Sequence, residues 1–200
     1  MKRSLLLLAF LFSLAGCNYS AKLAPLSPNA VVLCFGDSLT YGTGAEPGSS
    51  YPDELAKLIN RTVVNAGIPG ETSGEALARL PGELDRTQPK LLILCTGAND
   101  ILRRMELKQT AANLREMVKL ARGRGIGVFL IGVPHWGLGL QPTPFYGALA
   151  RELDLPLENR VFAKILAKDE LKSDPIHPNA AGYRKVAQAV AALLARSGGI

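Results

Sequence analysis

Two hundred residues, 48% hydrophobic and 20% charged, suit one globular domain with a substantial core and exclude an intrinsically disordered chain. The formal charge of +6 includes Lys2 and Arg3 at the extreme N-terminus, and the other basic residues form no run. A nucleic-acid partner, which needs a clustered Lys/Arg surface, is therefore not expected. The nearest basic pairs, Arg103-Arg104, Arg122/Arg124 and Arg184-Lys185, read as solvated faces.

The chain opens M-K-R-S-L-L-L-L-A-F-L-F-S-L-A-G-C, with a charged start, an apolar run from Leu5 and a small-residue exit. That is the layout of a secretory signal, and the run is short for a membrane span. The exit L-A-G-C, Leu14 to Cys17, resembles a bacterial lipobox. The resemblance implies removal of residues 1–16 and lipid modification of Cys17, giving a membrane anchor. Asn18, rather than an aspartate, follows it, which by the sorting rule of enteric bacteria favours the outer membrane facing the periplasm. The alternative is a plain signal peptide, leaving a secreted or soluble periplasmic protein. Residues 17–30 then read as lipidated cysteine and tether, mixed in composition and without apolar periodicity.

Beyond the tether, short apolar runs alternate with helical patterns. Strands are predicted at Val31–Phe35, Thr62–Ala66, Leu91–Thr96 and Gly127–Val133, with a short last one at Leu155–Leu157. Helices are predicted at Pro52–Asn60, Thr110–Arg122, Pro144–Leu153, Arg160–Ala167 and Ala180–Arg196. Ser73–Leu84 has apolar residues at helical spacing, with a break expected around Pro81-Gly82. Strands apolar on both faces, alternating with helices, argue for a parallel sheet covered on both sides. Cys34 and Cys95 fall inside strand runs and read as core residues rather than a disulfide. Ligands of such folds bind beyond the carboxyl ends of the strands, so the loops that follow each strand are the ones to inspect.

Those loops carry useful chemistry. Gly36-Asp37-Ser38 follows the first strand, Asn65 to Thr72 the second, and Gly97-Ala98-Asn99-Asp100 the third. Ser173-Asp174-Pro175-Ile176-His177-Pro178-Asn179 precedes the closing helix. A serine hydroxyl needs a base to become a nucleophile, and the chain has only His135 and His177. His177 has Asp174 three residues before it, able to hold the ring's tautomer; His135 has no carboxylate within seven residues and reads as a loop histidine at the rim or surface. Gly70 and Asn99 are suited to donate N–H groups to a developing oxyanion, although either alone is also an ordinary turn or cap residue. Asp37 and Asp100 read as loop braces.

G-D-S-L, then the glycine-bearing stretch ending in G-E-T-S, then G-A-N-D, then D-P-I-H-P-N, resemble in this order the SGNH hydrolase superfamily, also called GDSL esterases and lipases. The nearest likeness is to its branch of bacterial arylesterases and acyl-CoA thioesterase/lysophospholipases. The resemblance implies one domain over residues 31–200, a three-layer α/β/α sandwich with a mostly parallel five-stranded, flavodoxin-like sheet. It implies a serine esterase with Ser38 as nucleophile, His177 as general base and then acid, and Asp174 as orienting carboxylate. The implied oxyanion hole is the N–H of Ser38, the N–H of Gly70 and the side chain of Asn99. Glu71 stands where the family commonly has aspartate, which puts the local loop hydrogen bonding in question. No cofactor and no metal are implied, the partner is a small acyl-ester or lipid substrate, and a monomer is expected.

The residue two past Ser38 is Thr40, which departs from the G-x-S-x-G elbow of α/β-hydrolases. No glycine is followed by lysine, and Gly123-Arg124-Gly125-Ile126-Gly127 sits between helix and strand, the reverse of a dinucleotide-binding turn. Two other readings stay open: a carbohydrate O-deacetylase of the same fold, and a non-catalytic binding lipoprotein. Ile101, Leu102, Met105, Trp136 and Phe145 are candidates for an acyl groove.

Overall fold

The computed structural model describes residues 21–137 and 139–200. Five strands, β1 (Val31–Gly36), β2 (Thr62–Gly67), β3 (Leu91–Cys95), β4 (Gly127–Ile131) and β7 (Leu157–Glu158), pair in the order β2-β1-β3-β4-β7, all parallel. The apolar runs dictate this. Every residue of β3 is buried, as are Val32–Gly36 and Val128–Ile131, so these strands need cover on both faces. Helices α2 (Tyr51–Ile59) and α8 (Ala180–Arg196) pack together in one layer, and α3 (Ser73–Thr87), α5 (Leu107–Arg122) and α6 (Pro144–Glu152) associate in the other. The parallel sheet covered on both sides, expected from the alternation, and the three-layer sandwich that the resemblance implies are the observed architecture. Cys34 and Cys95 are free and fully buried, and burial pushes both thiols up from their ordinary range.

Four features differ from the sequence reading. Helix α3 runs unbroken through Pro81 to Thr87. Its buried stripe, Ala76, Leu80 and Leu84, crosses the proline without a phase change. Carrying a helix past an internal proline costs about 3 kcal/mol. Burying Leu84 recovers roughly 2 kcal/mol of that, and the turn beyond Pro81 keeps its backbone bonds. A two-stranded antiparallel hairpin, β5 (Pro134–Gly137) and β6 (Gly139–Pro142), follows β4 where no element was expected, and β7 begins two residues later than predicted and ends one later. Finally, within the expected tether, residues 21–30 lie against the domain. The N–H groups of Leu23 and Leu26 donate to the carbonyls of Ser197 and Gly199, while both side chains pack on the core. Residues 1–20, including the signal segment and Cys17, lie outside the described residues.

Candidate active site

Strand β1 ends at Gly36, where a Cβ would stand 1.8 Å from the Cys95 carbonyl oxygen, so only glycine lets β1 and β3 approach here. Asp37 then caps a one-turn helix, α1 (Ser38–Tyr41), accepting from the Leu39 N–H at 3.0 Å. This places Ser38 at the carboxyl end of the sheet.

The loop before α8 brings the histidine to it. His177 Nε2 lies 3.1 Å from Ser38 Oγ, and His177 Nδ1 lies 2.7 Å from Asp174 Oδ2. The other carboxylate oxygen, Asp174 Oδ1, accepts the N–H groups of Ile176 and His177, each at 2.8 Å. Burial alone would raise the Asp174 carboxyl, but the His177 ring and these two N–H donors outweigh it and hold the group below the usual range. An ionised carboxylate only accepts, so Nδ1 carries the imidazole proton and Nε2 is left to accept from the serine hydroxyl. His135 is exposed on β5, opposite Gln141 in the hairpin, and makes no contact with this line.

Gly70 and Asn99 face the same cleft. Its volume is about 240 Å³, and its lining includes Ser38, Gly70, Asn99 and His177 with the apolar Leu39, Pro69, Leu102 and Ile176. Gly70 takes a left-handed φ of +82°, a turn that a side chain would strain. Gly67, the other glycine of that loop, spends its N–H on Asn65 Oδ1 at 3.0 Å. Among the described residues, the N–H groups of Ser38 and Gly70 have no internal acceptor. Asn99, on α4 (Ala98–Leu102), donates one amide N–H to the Glu71 carbonyl at 2.9 Å and keeps the second. Of the expected groove residues, Leu102 lines the cleft and Met105 is exposed, while Ile101 and Phe145 pack against the core. The side chain of Trp136 lies outside the described residues.

The two motif aspartates brace loops, as expected. Asp100 is buried and accepts from the N–H and hydroxyl of Ser73 and from the Thr110 hydroxyl, tying the loop after β3 to the start of α3. Among the described residues, Asp37 Oδ2 is buried without a hydrogen-bond partner. Burial, with smaller contributions from the nearby charges of Glu71 and Asp100, pushes this carboxyl up to about 7 against the pull of the Leu39 and Ala98 N–H groups. The folded state therefore holds a proton that the unfolded chain has released, and stability falls as pH rises from about 4 to 7. The slope is up to about 1.4 kcal/mol per pH unit. Asp37→Asn, which keeps the cap to Leu39 and mimics the protonated form, is expected to remove this fall. Urea midpoints of both proteins from pH 5 to 8 check it: the curves should diverge with rising pH, and parallel curves would contradict the assignment.

Residues 34–185 match the GDSL-like Lipase/Acylhydrolase family. The chain belongs to that family. This GDSL-like acylhydrolase is 30% identical over 171 residues to an arylesterase of Vibrio mimicus, covering 80% of this chain and 86% of that one. It is 32% identical over 156 residues to thioesterase 1/protease 1/lysophospholipase L1 of Escherichia coli strain K12, covering 74% and 75%. The crystal structure of TesA superposes with a TM-score of 0.76 at 29% identity, covering 84% of this chain and 99% of that one. The acylhydrolase is thus an enzyme, an ester hydrolase of the SGNH fold.

Sequence reasoning missed the groups that hold the site's loops. The Tyr146 hydroxyl donates to the Thr96 carbonyl at 2.7 Å, just ahead of Asn99, and the Tyr183 hydroxyl donates to the Thr43 carbonyl at 2.8 Å, just after α1. The signal available was weak: a tyrosine on a buried helix face must find a partner for its hydroxyl, but nothing local says which.

Proposed function

We propose that this acylhydrolase cleaves carboxylic esters of fatty or aryl acyl groups, thioesters and lysophospholipids included, through an acyl-enzyme. The observation that carries the reading is the hydrogen-bonded line Ser38–His177–Asp174, whose first two members line a cleft together with Gly70 and Asn99. Ser38 Oγ attacks the carbonyl carbon while His177 Nε2 takes its proton. Asp174 steadies the resulting imidazolium. The carbonyl oxygen becomes an oxyanion facing the N–H groups of Ser38 and Gly70 and the free amide N–H of Asn99. Collapse expels the alcohol or thiol, which receives the proton from His177. Water, activated by the same ring, then attacks the acyl-enzyme and releases the carboxylic acid.

The surroundings favour an acyl chain over a sugar. The cleft's other walls are apolar apart from Thr43, and five of the seven exposed large hydrophobics among the described residues fall in segments that follow β1, β2 and β3. These are Tyr41, Ile68, Leu102, Met105 and Leu107. An acyl-length series of p-nitrophenyl esters, run beside lysophospholipid and acetylated xylan, tests the reading. Higher kcat/KM for four- to ten-carbon chains than for acetate is expected, whereas turnover of the acetylated sugar alone would establish an O-deacetylase instead.

We place the enzyme in the bacterial cell envelope, anchored through Cys17. The docked residues 23–27 lie beside Lys90, Leu91 and Gly127, at the amino ends of the strands. Six residues of β1 separate that end from the cleft by roughly 20 Å. Cys17→Ser is expected to move the protein from the membrane to the soluble fraction on fractionation of expressing cells. Unchanged membrane association would contradict lipidation.

A further inference from the structure

Glu71 sits between Gly70 and the helix cap Thr72, yet its side chain turns inward and is almost fully buried. Both carboxylate oxygens are taken by one guanidinium two turns along α3: Arg79 Nε donates to Oε1 at 2.7 Å and Nη2 to Oε2 at 2.8 Å. The same Nη2 donates to the Ala66 carbonyl in β2 at 3.1 Å, and the guanidinium lies over the Phe35 ring of β1 at 4.1 Å. Arg79 is thereby fixed by two strands as well as by its own helix, and it fixes Glu71 in turn.

The main chain of Glu71 faces the cleft. Its carbonyl accepts the Asn99 amide at 2.9 Å, and the residue before it is Gly70. Two of the three groups assigned to the oxyanion hole therefore adjoin this one residue, with the Gly70 carbonyl held from outside by Arg103 Nη2 at 2.8 Å. Neither Glu71 nor Arg79 lines the cleft itself. A buried ion pair is a poor source of net stability, since desolvation offsets its attraction. What a two-pronged guanidinium–carboxylate pair supplies is direction.

We infer that Glu71 and Arg79 are positioning residues for the oxyanion hole, a buried clamp that sets the Gly70 peptide and the Asn99 amide together. The inference rests on the assignment of Gly70 and Asn99 as oxyanion donors. The glutamate side chain reaches Arg79 from this loop with both oxygens engaged.

The test is steady-state kinetics of the full chain on p-nitrophenyl butyrate, with melting temperature followed in parallel. In Glu71→Leu/Arg79→Met the ion pair becomes an apolar contact that is expected to leave the melting temperature within about 5 °C, because such replacements are often neutral. A 1 Å misplacement of a catalytic group costs about 100-fold, so kcat should fall roughly 30- to 100-fold with KM changed less than about threefold. A double variant with near-native melting temperature and kcat within about threefold of wild type overturns the clamp. Should that variant not fold, Arg79→Lys carries the test, since it keeps the charge and loses the two-pronged geometry. It should lose about 10-fold in kcat at unchanged KM, and wild-type kcat would overturn the proposal. Glu71→Asp should retain more kcat than Glu71→Gln, and the reverse order counts against the clamp.

An Asn99→Ala background separates the two levels of the reading. If the clamp acts through Asn99 and its neighbour, the double change should cost much less there than in the wild type. A full additional loss overturns it. Asn99→Ala with undiminished kcat would instead refute the oxyanion assignment on which the clamp rests.

Discussion

Ser38→Ala and His177→Ala are each expected to lower kcat for p-nitrophenyl acetate by roughly 10,000-fold or more while the protein stays folded. The reason is the division of labour along one hydrogen-bonded line. Ser38 Oγ is 3.1 Å from His177 Nε2, within reach for proton transfer as the bond to the carbonyl carbon forms. Without the ring, the hydroxyl proton has nowhere to go; without the hydroxyl, the ring has nothing to deprotonate. The two losses should not add, and the double variant should be no slower than about either single one. Asp174→Asn belongs to the same unit, because an amide at the 2.7 Å contact invites the wrong imidazole tautomer. Steady-state kinetics beside circular dichroism check all four proteins. His177→Ala that keeps a tenth of the wild-type kcat would show that another base serves Ser38.

Asn99→Ala should cost about 100- to 1,000-fold, almost all of it in kcat, as expected for a donor that meets charge only in the transition state. The amide is already committed on one side to the Glu71 carbonyl, so its remaining N–H is aimed before any substrate arrives. That preorganisation is what water lacks. The fold should tolerate the change, since Asn99 is only part-buried and Asp100, not Asn99, ties α4 to α3 and α5. The check is the separate measurement of kcat and KM over a range of ester concentrations. A loss confined to KM would make Asn99 a substrate-binding group instead.

The fold was legible because its strands are continuous apolar runs, such as Leu91–Cys95, that only a covered parallel sheet can bury. The site was legible for a related reason: strand ends converge on one edge, so polar residues just after each run are neighbours in space however distant in sequence. Ser38 and Asn99, on the segments after β1 and β3, share a cleft in this way, and His177 joins them from the loop before α8. What stayed hidden depends on side-chain direction or on burial from outside the element. The proline in α3 reads as a breaker until the buried stripe on either side of it is known to pack. The hairpin at Pro134–Pro142 has too few residues for a period and two prolines that argue against strands. Leu23 and Leu26 look like linker residues, and only bonds to the distant Ser197 and Gly199 carbonyls and packing on the core make them part of the domain. Arg79 and Glu71 each suit a solvated surface by composition. Their pairing beneath the oxyanion loop is a property of the folded chain alone.

The central claim, that Ser38 is the nucleophile, is tested most directly by reacting the full chain with a fluorophosphonate and mapping the modified peptide by mass spectrometry. A single adduct on Ser38 is expected, slowed in His177→Ala and abolished in Ser38→Ala. An adduct on any other residue, or undiminished labelling of Ser38→Ala, would contradict the account.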